Sequence, residues 1–562
     1  MQFINLEVNL LKNITMSEQS VNNFEEKLKN SFPTLENIPQ EVKISGKKYE
    51  PTYLLDGKIL KWNGPLEEVS SPICIKQNGK LNRLIIGQVP SMDEAAAMEG
   101  LHAAVRAWDN GRGTWPTMSV KGRITAVEKF VVRMRLVRDE VVKLMMWEIG
   151  KSLDDSYKEF DRTVEYIIKT IDALKEVDRN NSRFSLDDGV IAQVRRSPLG
   201  VCLSMGPFNY PLNETYTTLI PALIMGNTLV VKPPKFGVLL HQPLLEAFAE
   251  CFPAGVVNFI YGDGAKIITP IMKSGLIDVL AFIGSSRVAD ILKLQHPRPH
   301  RMRSILGLDA KNPALVMPDA DIDLAVRECV MGSLTFNGQR CTGIKIMFVH
   351  KSIVDQFLKK LVAAIDDLPQ GMPWEKGVKL TPLPEFNKAN TLKGYVDDAI
   401  AKGASIMNQG GGTFYETLFR PAIVYPITPE SALYGVEQFG PVVPVCSYND
   451  EQEFLDFVTN SNYGQQLSLF GNNPGTMARL IDRLTNQVSR ININSQCQRG
   501  PDTLPFTGRK DSAEATLSIS DALRCFSIRS LVAAQANENS RDIIQNIVIG
   551  RYSNFLNTDF IL

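Results

Sequence analysis

The feature that most constrains this chain is a rhythm between residues 200 and 284, where short apolar runs alternate with amphipathic stretches. The runs G-V-C-L-S-M-G-P-F (200–208), T-L-V-V-K-P-P (228–234), V-V-N-F-I-Y-G (256–262) and I-D-V-L-A-F-I-G (277–284) read as strands buried on both faces. Between them, Leu212–Met225, 238–252 and Ala265–Lys273 read as helices. Such alternation predicts an α/β fold built on a doubly wound parallel sheet with helices on both faces. Ligands of these sheets lie at the carboxyl ends of the strands. Asn209, Lys232 to Lys235, Gly262 and Gly284 therefore belong to one rim.

Upstream, Asp93–Trp108, Val120–Ile149 and Leu153–Val177 carry helical periodicity, with Gly150 as a stop signal. From about Leu306 a second set of alternations begins, with strands at 313–318, 344–350, 441–448, 467–471 and 490–494 and a helix at Ser352–Asp366. At 562 residues the chain exceeds one hydrophobic core, so two or more domains are expected. Residues 1–45 are polar and weakly periodic, which suggests a poorly tied terminal segment, with Met16 as an alternative start.

Charge and cysteine usage exclude several classes. The 61 basic and 61 acidic side chains cancel, so no global field favours nucleic acid or a membrane surface, and anion recognition must be local. No run approaches the length of a transmembrane helix, and the N-terminus lacks a basic leader. Eight cysteines without a C-x-x-C, and five histidines without ligand spacing, predict a metal-free cytoplasmic protein with reduced thiols.

The stretch with the most chemistry is G-S-L-T-F-N-G-Q-R-C-T-G-I-K (332–345). Cys341 sits there among small and polar residues, whereas most of the other cysteines have apolar neighbours suited to core filling. A cysteine attacks as the thiolate, and the adjacent Arg340 is expected to lower its pKa.

Five pieces, G-P-F-N-Y-P (206–211), V-V-K-P-P-K (230–235), F-I-G-S-S (282–286), F-N-G-Q-R-C-T (336–342) and E-Q-F-G-P-V (437–442), stand in an order and separation that resembles the aldehyde dehydrogenase superfamily. The resemblance runs from about residue 50 to 536, and its nearest branch is the non-phosphorylating, NADP-dependent glyceraldehyde-3-phosphate dehydrogenases. It implies that Cys341 attacks the aldehyde carbon and that Asn209, with the Cys341 N–H, stabilises the oxyanion. It places Pro207, Phe208, Lys232, Gly284, Ser285, Glu437 and Phe439 along the cofactor. Lys235 stands where NAD-preferring relatives often carry a glutamate, which favours NADP while leaving NAD possible. Arg162, Tyr210, Arg340 and Arg499 match the branch's clamp for a small phosphorylated aldehyde.

One position departs from the pattern. The family motif L-E-L-G-G-K carries its general base at the second residue, and here the run Leu306–Lys311 has Gly307 there. Asp309, or else Glu437, is the expected substitute acting through water. Loss of the base also leaves open transfer of the acyl group to a thiol such as coenzyme A, or a non-catalytic nucleotide-binding relative. The resemblance further implies an N-terminal extension (1–45), an NADP-binding domain (46–180 and 200–306), a catalytic domain (307–522) and a small bridging oligomerisation element (181–199 and 523–536). That element pairs between subunits in the family, so a homodimer or homotetramer is expected, with the tail 537–562 over a neighbouring subunit.

Overall fold

The computed structural model of the protein describes residues 18–44 and 50–559. The apolar runs form the expected parallel core. Strands Val257–Phe259, Thr228–Lys232, Val201–Met205, Val279–Ile283 and Arg303–Gly307 lie side by side in that order, all parallel. Their side chains are buried almost throughout, as a sheet covered on both faces requires. A second sheet orders Ser405–Ile406, Ala422–Tyr425, Val442–Tyr448, Ile344–His350, Asn312–Val316, Gln466–Phe470 and Arg490–Ile493, parallel except at its first pair.

Several elements differ from the sequence reading. The helix expected over 120–149 is two, Val120–Leu136 and Arg138–Ile149, because Val137 leaves helical geometry (φ −106°, ψ 15°). Asp139 and Glu140 then lie in the first turn of the second helix, where its dipole favours them. Gly150 closes that helix at φ 66°, and a Cβ there would come within 2.2 Å of the Pro382 carbonyl oxygen. The stretch 238–252 divides into a 3-10 turn, Leu239–Leu244, and a short helix, Leu245–Cys251, since Pro243 has no N–H to offer a regular helix.

The terminal segments are also more tightly held than expected. Phe32, Ile38 and Val42 are buried in the first core, and Trp147 Nε1 donates to the Val42 carbonyl at 2.8 Å. Residues 1–17, with Met16, lie outside the described residues. Late in the chain, Ala513–Glu514 adds an antiparallel edge to the first sheet, and Leu517, Leu523 and Phe526 join its core. The segment 513–522, expected with the second sheet, is therefore covalently late but structurally part of the first.

Strands Phe184–Asp187, Val190–Pro198 and Ser527–Gln535 form a separate antiparallel sheet, with Ser527 opposite Pro198 and Gln535 opposite Val190. Within its own chain, the described part of the tail packs on this sheet. After helix Glu538–Ile549 it returns over this sheet, where Arg195 Nη1 donates to the Phe555 carbonyl (3.1 Å) and to Asn557 Oδ1 (2.7 Å), and Leu556 is buried. Among the described residues, no helix is long and apolar enough to cross a membrane.

Glu148 shows how the first layer is tied together. This fully buried carboxylate accepts the N–H groups of Val238 (2.6 Å) and Leu239 (2.9 Å), joining helix Arg138–Ile149 to the turn beyond Lys232 and Lys235. Burial raises its pKa to about 7. Glu148→Ala would orphan both amides and is expected to lower the unfolding free energy by about 2 to 4 kcal/mol, measured by urea denaturation.

Candidate active site

The Cys341 loop leaves helix Ile322–Leu334 and turns through Phe336, Asn337 and Gly338 at φ 48°, 55° and 70°. Left-handed geometry at two residues with side chains needs outside support. Asn337 supplies part of it by accepting the Thr381 N–H at 2.9 Å and donating to Thr381 Oγ1 at 3.2 Å. Three further side chains hold the loop's carbonyls: Lys345 Nζ on Gly338 (2.7 Å), Asn209 Nδ2 on Gln339 (2.8 Å) and Asn312 Nδ2 on Cys341 (2.8 Å).

The Asn209 turn is fixed in the same way from behind. Buried Lys151 donates to the Asn209 carbonyl at 2.9 Å and pairs with buried Glu159. Glu159 in turn accepts the N–H groups of Leu212 (3.0 Å) and Asn213 (3.1 Å), starting the next helix. The Lys151 ammonium lies 3.6 Å from the Tyr210 ring centre and 4.5 Å from that of Phe336, so aromatic faces replace water around the charge.

These loops bound a cavity of about 880 Å³. Cys341, Asn209 and Asp309 line it, and so do Arg162, Tyr210, Arg340 and Arg499. Pro207, Phe208, Gly284, Ser285, Glu437 and Phe439 line it as well. Lys232 and Lys235 stand apart, in a second cleft of about 460 Å³ beside Glu67, Glu68 and Asp263. Successive residues link the two spaces, Glu385 lining the first and Phe386 the second.

The electrostatics correct three expectations. The Cys341 thiol is not activated in the resting structure: burial pushes it up to about 11, the Glu214 and Glu437 carboxylates add to this, and Arg499 and Lys345 oppose it. Arg340 does not reverse the effect, since its guanidinium turns toward Thr342 Oγ1 (3.4 Å) and the Cys497 carbonyl (3.5 Å). Second, two of the clamp's arginines already have carboxylate partners. Arg162 binds Asp502 through two bonds (3.1 and 2.7 Å), while Arg499 pairs with Glu214 and lies 3.3 Å from Asp502. Third, Asp309 caps a helix: its Oδ2 accepts both the N–H (2.7 Å) and the hydroxyl (2.9 Å) of Ser286, at the start of Ser286–Gln295. The Glu437 side chain is only 9% exposed, with Oε2 accepting the Ala310 N–H at 3.2 Å and Oε1 3.6 Å from Lys345 Nζ. Burial raises the Glu437 carboxyl and lowers the Lys345 ammonium.

Residues 74–530 match the aldehyde dehydrogenase family. The chain belongs to that family. Among its relatives, an NADP-dependent glyceraldehyde-3-phosphate dehydrogenase of Streptococcus equinus is 33% identical over 437 residues, 76% of this chain and 88% of the relative. The enzyme of the same name in Arabidopsis thaliana is 28% identical over 483 residues, covering 84% and 94% of the two chains. In structure, the chain resembles the NADP-dependent glyceraldehyde-3-phosphate dehydrogenase of Bacillus halodurans C-125 complexed with NADP, with a TM-score of 0.80 at 27% identity, over 87% of this chain and all of the other (100%).

The cavity and the loops that bound it use residues that the sequence did not single out. Glu214 is the chief one, and its signal was a carboxylate inside E-T-Y-T-T-L-I-P-A-L-I, a helix otherwise free of charge and buried throughout. Lys345 and Lys151 had weaker signals, because a lone lysine near a strand or helix end is ordinarily solvated. Among the described residues, no group of three or more histidine, cysteine or carboxylate side chains is arranged to hold a metal ion.

The raised thiol pKa fixes a pH dependence. Below about 11 the thiolate fraction of Cys341 grows about tenfold per pH unit. Alkylation of the cofactor-free enzyme by iodoacetamide, corrected with Cys341→Ser, should therefore climb from pH 7 to 9 without a plateau. A plateau below pH 8 would show an activated thiol instead.

Proposed function

We propose that this aldehyde dehydrogenase oxidises glyceraldehyde 3-phosphate to 3-phosphoglycerate with NADP, the reaction for which the relatives above are named. The observation that carries this reading is the meeting, in one cavity, of a cysteine, an asparagine amide and the guanidiniums of Arg162, Arg340 and Arg499. Arg162 and Arg499 are balanced by carboxylates, whereas Arg340 hydrogen-bonds to neutral oxygens, which makes its guanidinium the charge best placed to meet an anionic substrate.

The residues fit the cofactor in parts. Lys232 and Lys235 offer charge to a ribose phosphate, and Glu437 and Phe439 line the thiol's cavity, where the nicotinamide ribose would be held. When bound, NADP supplies the hydride acceptor. At the pyrophosphate turn the first amide of helix Ser286–Gln295 is already taken by Asp309, which leaves Ser285 and Gly284 to meet that group.

The chain's own residues do the rest. Cys341 Sγ, its proton lost to solvent, attacks the aldehyde carbon, and the carbonyl pair moves onto oxygen to give the thiohemiacetal anion. Asn209 Nδ2, which holds the Gln339 carbonyl at 2.8 Å through one hydrogen, gives its second hydrogen to the oxyanion, joined by the Cys341 N–H. Loss of hydride leaves a thioester on Cys341. Arg340, whose bonds within the chain are the longest of the three arginines, takes the substrate phosphate first, and Arg162 offers the guanidinium face not bound to Asp502. The exposed apolar side chains along Ser527–Gln535, Leu531 above all, support pairing of that edge with a second copy.

Gly307 favours one competing reading, in which coenzyme A takes the acyl group. Steady turnover of purified enzyme with aldehyde, NADP and water alone would exclude it. Arg340→Ala is expected to raise KM for the phosphorylated aldehyde by about 10- to 100-fold, the worth of one charged hydrogen-bonding group, and to leave KM for glyceraldehyde unchanged. Equal effects on both aldehydes would sink the phosphate assignment. Lys235→Ala should weaken NADP more than NAD in fluorescence titrations, by about tenfold if one ionic contact is lost.

A further inference from the structure

We propose that Glu214 is the carboxylate that takes the proton from the water hydrolysing the Cys341 thioester, an inference that rests on the aldehyde-oxidising reading above. Four carboxylates line the cavity: Glu214, Asp309, Glu385 and Glu437. Asp309 is committed to Ser286, and its charge is not among the main influences on the thiol. Glu437 gives one oxygen to Ala310 and faces Lys345 with the other. Glu385 is partly exposed and pairs at 3.9 Å with Lys388. Glu214 is buried, and of all charged groups its carboxylate acts most strongly on the Cys341 sulfur.

Space favours the same residue. Glu214, Cys341 and Gly307 together line a small recess with room for about one water, 10 Å³. Gly307 puts no side chain into the recess, and the space beside it is open, since a Cβ added there would meet only Ile283 and Leu517 side-chain atoms at 3.4 to 3.6 Å. The carboxylate lies in the first turn of helix Asn213–Ile224, where the dipole favours its charge, and Arg499 orients it. Its position opposes thiolate formation in the first half-reaction, so it is a poor place for a merely structural anion. In the second half-reaction the same position is useful.

The step balances without a further reactant. The water oxygen bonds to the acyl carbon as one water proton passes to Glu214. The tetrahedral intermediate then collapses with cleavage of the C–S bond, and the sulfur leaves with the bonding pair. The new acid gives its proton to that thiolate, which restores the Cys341 thiol and releases the carboxylate product. Glu214 returns its proton to solvent.

The test uses full-length enzyme and p-nitrophenyl acetate, which acylates a thiol without cofactor, beside glyceraldehyde 3-phosphate with NADP. Glu214→Gln should keep the rapid nitrophenolate burst and lose about 10²- to 10⁴-fold in the steady phase, the range for a missing general base. Adding Gly307→Glu to that variant should restore the steady phase by returning a carboxylate to the recess. A steady phase unchanged in Glu214→Gln overturns the proposal. So does a slowed phase that Gly307→Glu fails to rescue, because that marks loss of the Arg499 pair alone. If Glu214→Gln loses the burst through misfolding, Glu214→Asp decides by the same criterion of full burst and altered steady phase. Glu214-dependent deacylation of the ester, with no NADPH from the phosphorylated aldehyde in wild type, would instead remove the substrate reading and keep Glu214.

Discussion

The site depends on carbonyl groups being held by side chains that come from elsewhere in the chain. The nucleophile loop has left-handed backbone at two residues that bear side chains, and it forms no ladder of its own. Lys345, Asn312, Asn209 and Asn337 together hold it in place. Each bond is of modest worth alone, but a buried carbonyl left without a donor is expensive, so the set acts together. Asn209 supports this loop through one hydrogen of its amide, and the same NH2 group keeps a second hydrogen for the cavity that it lines.

Charge is balanced within the cavity rather than spread over the surface. Arg162, Arg499, Asp502 and Glu214 form a chain of alternating sign beside the sulfur. Buried ions survive only when paired, so each of these groups restricts where the others can point. A substrate phosphate entering this chain must compete with Asp502 and Glu214 for the guanidiniums. Selectivity can then come from the competition, because only a strongly anionic ligand would displace a carboxylate that is already in place.

Much of this was legible in the sequence. The parallel sheet was visible because strands buried on both faces are continuous apolar runs, and the motifs around Asn209, Gly284, Cys341 and Glu437 fixed their meeting place. What escaped has physical reasons. Periodicity does not register a one-residue break such as Val137, since the apolar pattern carries on through it. Arg340 precedes Cys341 in sequence, yet adjacent residues of a turn point apart, and desolvation set the thiol's acidity instead. Asp309 had suitable spacing, but nothing local revealed that Ser286 would claim it. Glu214 was the reverse case, a charge in an apolar helix whose purpose only the tertiary fold displays.

The return of residues 513–514 to the first sheet bears on how the protein is made. Strand Arg303–Gly307 emerges from the ribosome far ahead of its antiparallel partner, and Val190–Pro198 waits still longer for Ser527–Gln535 and the closing tail. During that interval the nascent chain carries two open sheet margins, each able to recruit a foreign strand. The last-made segment thus seals the first-made layer, which makes full-length synthesis, rather than any early domain, the event that commits the fold.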